Sequence, residues 1–236
     1  MNRIIVFALM LFCMIMQIEA QTLSEEEVTA KMYQAFELNK AGKKAEALEL
    51  FLIVGENTKQ QRNEGERQVY VCSQTMACQC YELLGRYKEG YHLGKSLLQG
   101  KLNDTERKDV SHLYAMNGYM YACEFIQRDV KGRADYKRGR ELISEILPYS
   151  DGQVKEYAET KIPLSWYFEG AQYAMTQSYD EALSSYEKAL NGFRDLGRVS
   201  EEVDVLSGIA SVKAHLCKFD EAKRVYYQAF VLANQN

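Results

Sequence analysis

The chain has 236 residues, 47% of them hydrophobic, and its net charge at neutral pH is −4. This length is ample for a sizeable hydrophobic core. The slightly acidic balance is opposite to that of a nucleic-acid-binding surface, so we expect no nucleic-acid partner. Only two prolines occur, and no segment alternates between apolar and polar residues as a half-buried strand would. The sequence therefore predicts an all-α protein.

The first twenty residues have the pattern of a secretory signal peptide. Arg3 is followed by thirteen consecutive apolar residues, Ile4 to Met16, and a small residue stands at Ala20. A run of this length is too short to span a bilayer comfortably. We expect cleavage after Ala20, export to the periplasm or cell envelope, and a mature chain without a transmembrane span. Retention of residues 1–20 as an uncleaved anchor is the alternative.

Small residues recur twelve positions apart along residues 21–236. The pairs are Ala35 and Ala47, Cys78 and Gly90, Gly170 and Ala182, and Ala210 and Ala222. The pattern returns at steps of 40 to 43 residues, with matching apolar and aromatic residues around it. Self-similarity of this period is typical of repeats made of two helices. In the third copy Gly118 and Gly139 stand twenty-one apart, so nine residues are inserted there.

Helix caps and turns divide the chain into five predicted helix pairs, near residues 24–60, 64–100, 104–148, 151–196 and 199–234. Capping-box spacing begins the first, third and fourth pairs, at Ser24 with Glu27, Asn103 with Glu106, and Ser150 with Gln153. Turns or ends are expected at Gly42, Gly85 and Pro148. Pro163 falls inside a helical pattern, where we expect it to kink the helix or to split off residues 151–161.

The fourth copy carries the most complete motif. Trp166, Gly170 and Tyr173 are followed by Ala182 and Tyr186. This motif resembles the tetratricopeptide repeat (TPR) consensus W-x2-L-G-x2-Y followed by A-x3-F, and Glu169 replaces the usual Leu. The repeats exceed the family's roughly 34 residues, so they are similar to the long-helix TPRs of kinesin light chains and bacterial regulators. The resemblance implies a TPR-like right-handed α-solenoid of about five antiparallel helix pairs, of an exported bacterial type.

The resemblance also implies a binding groove, because the first helix of each TPR pair lines the concave side. The groove candidates are Met32, Phe36, Thr75, Gln79, Tyr119 and Tyr167. The same register places Ala115 and Ala122 on this face. None of these residues is basic, so an apolar or mixed peptide or helix is the predicted ligand. The alternative is that the aromatic residues belong to the core, as a stripe at helical spacing often does.

The insertion in the third copy leads into a basic stretch. Its six cations are Arg128, Lys131, Arg133, Lys137, Arg138 and Arg140. One interpretation is a solvated loop that leads into a polar helix face. The other is a docking loop for an acidic partner or a membrane surface.

We find no pattern that indicates an enzyme. Cys78 and Cys80 are two residues apart, which on a helix points their sulfur atoms about 200° away from each other. They cannot ligate one metal ion in that arrangement, and Cys78 occupies a close-packing position. Nucleophile-elbow, phosphate-loop and dinucleotide-binding patterns are absent from the sequence. We therefore expect no catalytic, cofactor or metal site.

The sequence is best interpreted as an exported scaffold that binds a protein or peptide, as the sensing or adaptor part of an envelope signalling system. One alternative is a structural assembly factor of an envelope complex. Another is the truncated ectodomain of a membrane-bound regulator. The fifth pair is followed by no polar capping helix, so self-association through the solenoid ends is also expected as an option.

Overall fold

The computed structural model describes residues 23–127 and 134–235. These two stretches contain ten α-helices and one short 3-10 turn, and no strand, so the predicted all-α fold is confirmed. Residues 1–20, the predicted signal peptide, lie outside the described residues, as do Arg128, Lys131 and Arg133. Within the described part of the chain, no helix combines the length and the apolar character that crossing a membrane requires.

The helices follow one another with short connections. They are α1 (Glu25–Lys40), α2 (Lys44–Thr58), α3 (Glu64–Leu83), α4 (Tyr87–Leu98), α5 (Asp104–Ile126), α6 (Tyr136–Ile146), α7 (Gly152–Met175), α8 (Tyr179–Asp195), α9 (Val199–His215) and α10 (Phe219–Gln235). The 3-10 turn Leu147–Tyr149 lies between α6 and α7.

The chain forms two compact units, the first up to Leu84 and the second from Gly85 onward. In the first unit, α2 packs against both α1 and α3. In the second unit, each helix from α4 to α10 packs against the next, and α7 also contacts α5 and α9. The second unit is therefore a stack of helix pairs in which first helices lie beside first helices.

Four connecting turns among the described residues share one backbone feature. Gly42, Gly85, Gln177 and Cys217 all have positive φ, between 58° and 81°. In three of these turns the next residue donates its N–H to a carbonyl five residues back, as Ser178 does to Tyr173 at 2.9 Å. This is the Schellman arrangement, which ends a helix and reverses the chain. Glycine reaches this conformation without strain, which explains Gly42 and Gly85.

Two of the three predicted capping boxes are confirmed, at Ser24 with Glu27 and at Asn103 with Glu106. The third is wrong, because Asp151 takes the N-cap position of α7 and makes no side-chain cap. The Ser150 hydroxyl donates instead to the carbonyl of Ile146 at 3.0 Å. Short polar side chains readily bond a carbonyl one turn back, and here that bond closes the preceding helix.

Pro163 lies within α7, which runs unbroken from Gly152 to Met175. The prediction that residues 151–161 split off as a separate turn is therefore wrong. The Pro163 ring is buried against Gly192 of α8, where an added Cβ would come within 2.8 Å of the Pro163 Cβ. Tertiary packing around the ring offsets the lost backbone hydrogen bond, since a glycine faces it.

The close-packing positions are occupied as the repeat pattern predicts. Ala35, Ala47, Ala182 and Ala210 are fully buried. Cys78 is also buried, which confirms its packing role, and burial raises the pKa of its thiol. Small side chains at these positions let neighbouring helices approach closely.

Candidate functional site

A cleft of about 1,040 Å³ opens to solvent between α6, α7 and α8 in the second unit. Helix α7 supplies the floor, and α6 and α8 supply the walls. The lining residues are Lys137, Arg140, Glu141 and Ser144 of α6, Ile162, Trp166, Glu169 and Tyr173 of α7, and Asp180, Glu181, Ser184, Ser185 and Lys188 of α8.

An ion pair lies at the base of the cleft. Arg140 Nη2 is 2.9 Å from Glu169 Oε2, and the two side chains are only 11% and 17% exposed. Arg140 Nη1 also donates to the Ser165 hydroxyl at 3.3 Å. Burial lowers the pKa of the Arg140 guanidinium, and the negative charge of Glu169 opposes this effect. Each charge therefore stabilises the other at a position that water hardly reaches.

Trp166 lies close to two cations. The guanidinium carbon of Arg140 is 3.4 Å from the centre of the Trp166 ring, and Lys188 Nζ is 4.2 Å from it. Cations at these distances are attracted by the quadrupole of the ring. Because Arg140 belongs to α6, Trp166 to α7 and Lys188 to α8, the contacts tie the three helices together. Trp166 is the only tryptophan in the chain, so its fluorescence reports on this cleft alone.

The walls of the cleft are polar and carry both signs of charge. Lys137 and Glu141 are exposed on α6, while Asp180, Glu181 and Lys188 are exposed on α8. Asp180 and Glu181 lie in the first turn of α8, where acidic side chains complement the helix dipole. The described residues contain no group of three or more side chains that could hold a metal ion.

A second cavity, of about 470 Å³, lies beside Glu145 of α6 and shares Ser144 with the cleft. The Tyr114 hydroxyl donates to Glu145 Oε1 at 2.8 Å, and Lys95 Nζ lies 2.6 Å from the same oxygen. Burial acts to raise the pKa of Glu145, but hydrogen bonds from Lys95, Tyr114 and Tyr91 outweigh it and hold that pKa below its usual value. The carboxylate therefore joins α4, α5 and α6.

We predict that Glu145→Gln lowers the melting temperature at pH 7, because the charged form makes the stronger hydrogen bonds. A carboxyl group with a lowered folded-state pKa contributes stability above its unfolded pKa and loses it as the pH falls through the folded one. The two melting temperatures should therefore converge as the pH falls below about 4.3, the usual pKa of a glutamate. Thermal unfolding across this range tests the prediction, with exposed Glu187→Gln as the control. A constant difference at every pH would contradict it.

No protein-family model and no curated protein matches the sequence. Among solved structures, the chain is 17% identical to the TPR protein TTC0263 of Thermus thermophilus, over 89% of this chain and 93% of that one, with a TM-score of 0.36. It is 14% identical to apo RapI over 89% and 71% of the two chains, with a TM-score of 0.35. A putative kinesin light chain of TPR-like repeats from Podospora anserina is 14% identical over 88% and 95%, with a TM-score of 0.35.

The chain's own helix pairs, positive-φ turns and buried small residues decide the fold. The second unit is an all-α stack of helix pairs, as the sequence motif that resembles the TPR consensus predicts.

In the first unit, the predicted groove residues are in part accessible. Gln79 is exposed, Phe36 is partly exposed, and Met32 and Thr75 are half-buried. The Phe36 ring stands edge-on to Phe51, with centroids 5.5 Å apart. Phe36 therefore belongs to the border of the core, and a role in binding stays a prediction.

In the second unit, Tyr119 and Tyr167 are half-buried and pack against two different core clusters. Tyr119 stacks on the exposed Tyr157, with ring centroids 6.1 Å apart. The ring centroid of Tyr167 lies 5.7 Å from that of the exposed Phe168. The expectation that Ala115 and Ala122 lie on the open face is wrong. Both are fully buried, in one cluster with Val154 and Ala158 of α7. Alanine is small enough to let the neighbouring first helix of the stack approach.

The described part of the basic stretch is a helix from Tyr136 onward. This fits the interpretation of a loop that leads into a polar helix face, and it means that Lys137, Arg138 and Arg140 do not belong to a docking loop. Lys137 and Arg138 are exposed on α6, and Arg138 pairs with Glu141 at 3.3 Å. Arg140 instead points inward to Glu169. Of these three cations, Lys137 and Arg140 line the cleft.

The cleft was not predicted, although the sequence contains two signals of it. Glu169 stands where the TPR consensus has Leu, and Arg140 ends a basic stretch in an otherwise acidic chain. An acidic residue at an apolar position needs a cationic partner in the fold. The partner is twenty-nine positions away, and only the packing of α6 on α7 brings the two together.

Proposed function

We propose that this TPR-type chain is a non-enzymatic scaffold that binds a peptide segment of another protein in the cleft between α6, α7 and α8. The observation that carries the proposal is the Trp166 floor, which Arg140 and Lys188 hold in place between two polar walls. Peptide sites commonly combine an apolar anchor pocket with polar groups that bond the backbone.

Several features of the cleft favour a peptide over a charged small molecule. The cleft is lined by basic and acidic side chains in similar number, so it would not select a ligand that carries charge of one sign. Ile162, Trp166 and Tyr173 provide a surface for one apolar side chain. Exposed Ser144 and Ser184, on opposite walls, can bond backbone N–H and C=O groups of a bound segment.

We further propose that the scaffold works in the cell envelope or periplasm, as the sensing or adaptor part of a signalling system. The support is the signal-peptide pattern of residues 1–20. A structural assembly factor of an envelope complex is the second candidate. Both functions use the same peptide-binding cleft, and they differ in whether occupancy changes with conditions.

The test is to select binders from a displayed library of random peptides and to titrate them while recording Trp166 fluorescence. We expect a saturable change in emission, because a bound peptide changes the surroundings of the only tryptophan. Ser184→Phe places a bulky ring in the cleft and should weaken binding at least about tenfold through a steric clash. Asn191→Phe is the matched control, because Asn191 is exposed on the same helix but does not line the cleft.

Two results would contradict the proposal. One is calorimetric binding that leaves the Trp166 emission unchanged and is lost in Tyr157→Ala, which would place the site at the aromatic residues around Tyr119. The other is equal weakening by Ser184→Phe and Asn191→Phe, which would mean that the cleft is not the binding surface.

A further inference from the structure

Helix α10 carries an apolar seam that no other described element covers. Its positions follow the 4-3-4-3 spacing of a helix-pairing stripe, and they are Phe219, Lys223, Tyr226, Phe230 and Ala233. Phe219 is 66% exposed, Tyr226 46% and Phe230 64%. Ala222 and Ala229 lie about 60–80° around the helix from the middle of the seam, and they are buried where α10 packs on α9. The exposed seam is thus a mainly apolar stripe beside the packed face of the same helix.

The helix α8, one repeat earlier, shows what such a seam does. The equivalent positions are Tyr179, Leu183, Tyr186, Leu190 and Phe193, and each belongs to or packs against one core cluster with residues of α9. Tyr186 and Leu190, the counterparts of Tyr226 and Phe230, are only 4% and 8% exposed. The seam of α10 is therefore built like a face that a helix covers.

We propose that a second copy of this chain covers the seam, through an antiparallel pair of α10 helices. The seam is nearly symmetric about Tyr226, so antiparallel pairing sets each Tyr226 beside its counterpart. The large Phe219 then meets the small Ala233, and Lys223 lies over the ring of Phe230, a favourable cation–π arrangement. Parallel pairing would instead set Lys223 against Lys223, with like charges in contact.

The exposed ring area approaches what such a pair needs. Tyr227 flanks the seam and is 67% exposed. If a fully exposed aromatic side chain has about 200 Å² of surface, Tyr227 and the three seam rings together expose about 490 Å² per copy. Two copies together expose about 1,000 Å² of ring surface, and the neighbouring side chains add to the area that a pair can bury. Stable interfaces begin near about 1,200 Å² in total.

Helix α1 of a second copy is a poorer cover for the seam. Aligned with α9 through Ala35 and Ala210, α1 has Gln34 where α9 has Ile209, and Glu37 where α9 has Val212. Tyr33 stands at the position of Gly208, whose missing side chain makes room for the Tyr186 ring. A head-to-tail contact would thus place two polar residues and a bulky ring against the seam.

The oligomeric state of the purified chain tests the proposal. We expect sedimentation to show a concentration-dependent dimer. Phe230→Asp should raise its dissociation constant at least about tenfold, since aromatic anchors dominate interface energies. The melting temperature of the diluted monomer should not change, because Phe230 is exposed. Tyr33→Asp is the control, since it alters an exposed aromatic residue of α1 and should leave the dimer intact.

Cysteine cross-linking tests the orientation, in a background with the exposed Cys72 and Cys217 replaced by serine. An antiparallel pair should link a Phe219→Cys chain to an Ala233→Cys chain, since a disulfide needs Cα atoms within about 7 Å. A chain that stays monomeric at high concentration, or a dimer that Phe230→Asp does not weaken, would overturn the proposal. Phe219→Cys chains that link to each other would overturn the antiparallel orientation.

Discussion

Replacing Glu169 with leucine is expected to lower the free energy of unfolding by about 2–4 kcal/mol, although leucine is the consensus residue at this position. The substitution would leave the Arg140 guanidinium without its ion-pair partner in a place where it is 11% exposed. The removal of a buried charge from water costs free energy, and without the partner no attraction offsets this cost. The expected loss is below that for a fully buried pair, because both side chains keep some contact with water.

Chemical denaturation of four chains measures this effect: the parent, Glu169→Leu, Arg140→Met and the double variant. We expect the double variant to be close to the parent, because two apolar side chains replace the pair without leaving a charge behind. Trp166 fluorescence should change in both variants that lack Arg140, since the guanidinium lies 3.4 Å from the ring centre. If Glu169→Leu alone is as stable as the parent, the ion pair does not hold α6 to α7.

Replacing Gly170 with leucine is expected to cost about 1–3 kcal/mol, because the new side chain must enter a close helix crossing. A Cβ at Gly170 would lie 2.8 Å from Cδ1 of Tyr186, and a Cβ at Gly208 would lie 2.9 Å from Cζ of the same ring. Tyr186 is therefore wedged between a glycine of α7 and a glycine of α9. The ring cannot move away from one helix without meeting the other.

Thermal and denaturant unfolding of Gly170→Leu, Gly170→Ala and Asn191→Leu would measure this cost. The alanine variant should lose less than the leucine variant, since it adds one carbon instead of four. Asn191→Leu changes an exposed position of α8 and should stay within about 0.5 kcal/mol of the parent. A leucine variant that unfolds like the parent would mean that Gly170 is not the packing position of its repeat.

The sequence by itself determined the local features of this protein. Residue types and their spacing predicted the helix starts at Ser24 and Asn103 and the turns at Gly42 and Gly85. They also predicted the buried alanines of the repeats. Each of these signals acts within one or two turns of helix, where the interacting groups are close in sequence. Caps, tight turns and small packing residues can therefore be identified without knowing which helices are neighbours.

Only the tertiary structure decided which faces are covered. Ala115 and Ala122 are buried because α7 packs there. Arg140 faces inward because it forms an ion pair with Glu169. The cleft joins α6, α7 and α8 through side chains that are 22 or more positions apart, such as Arg140, Trp166 and Lys188. Burial and charge pairing depend on neighbours in space, and an apolar stripe looks the same in sequence whether another helix covers it, as on α8, or not, as on α10.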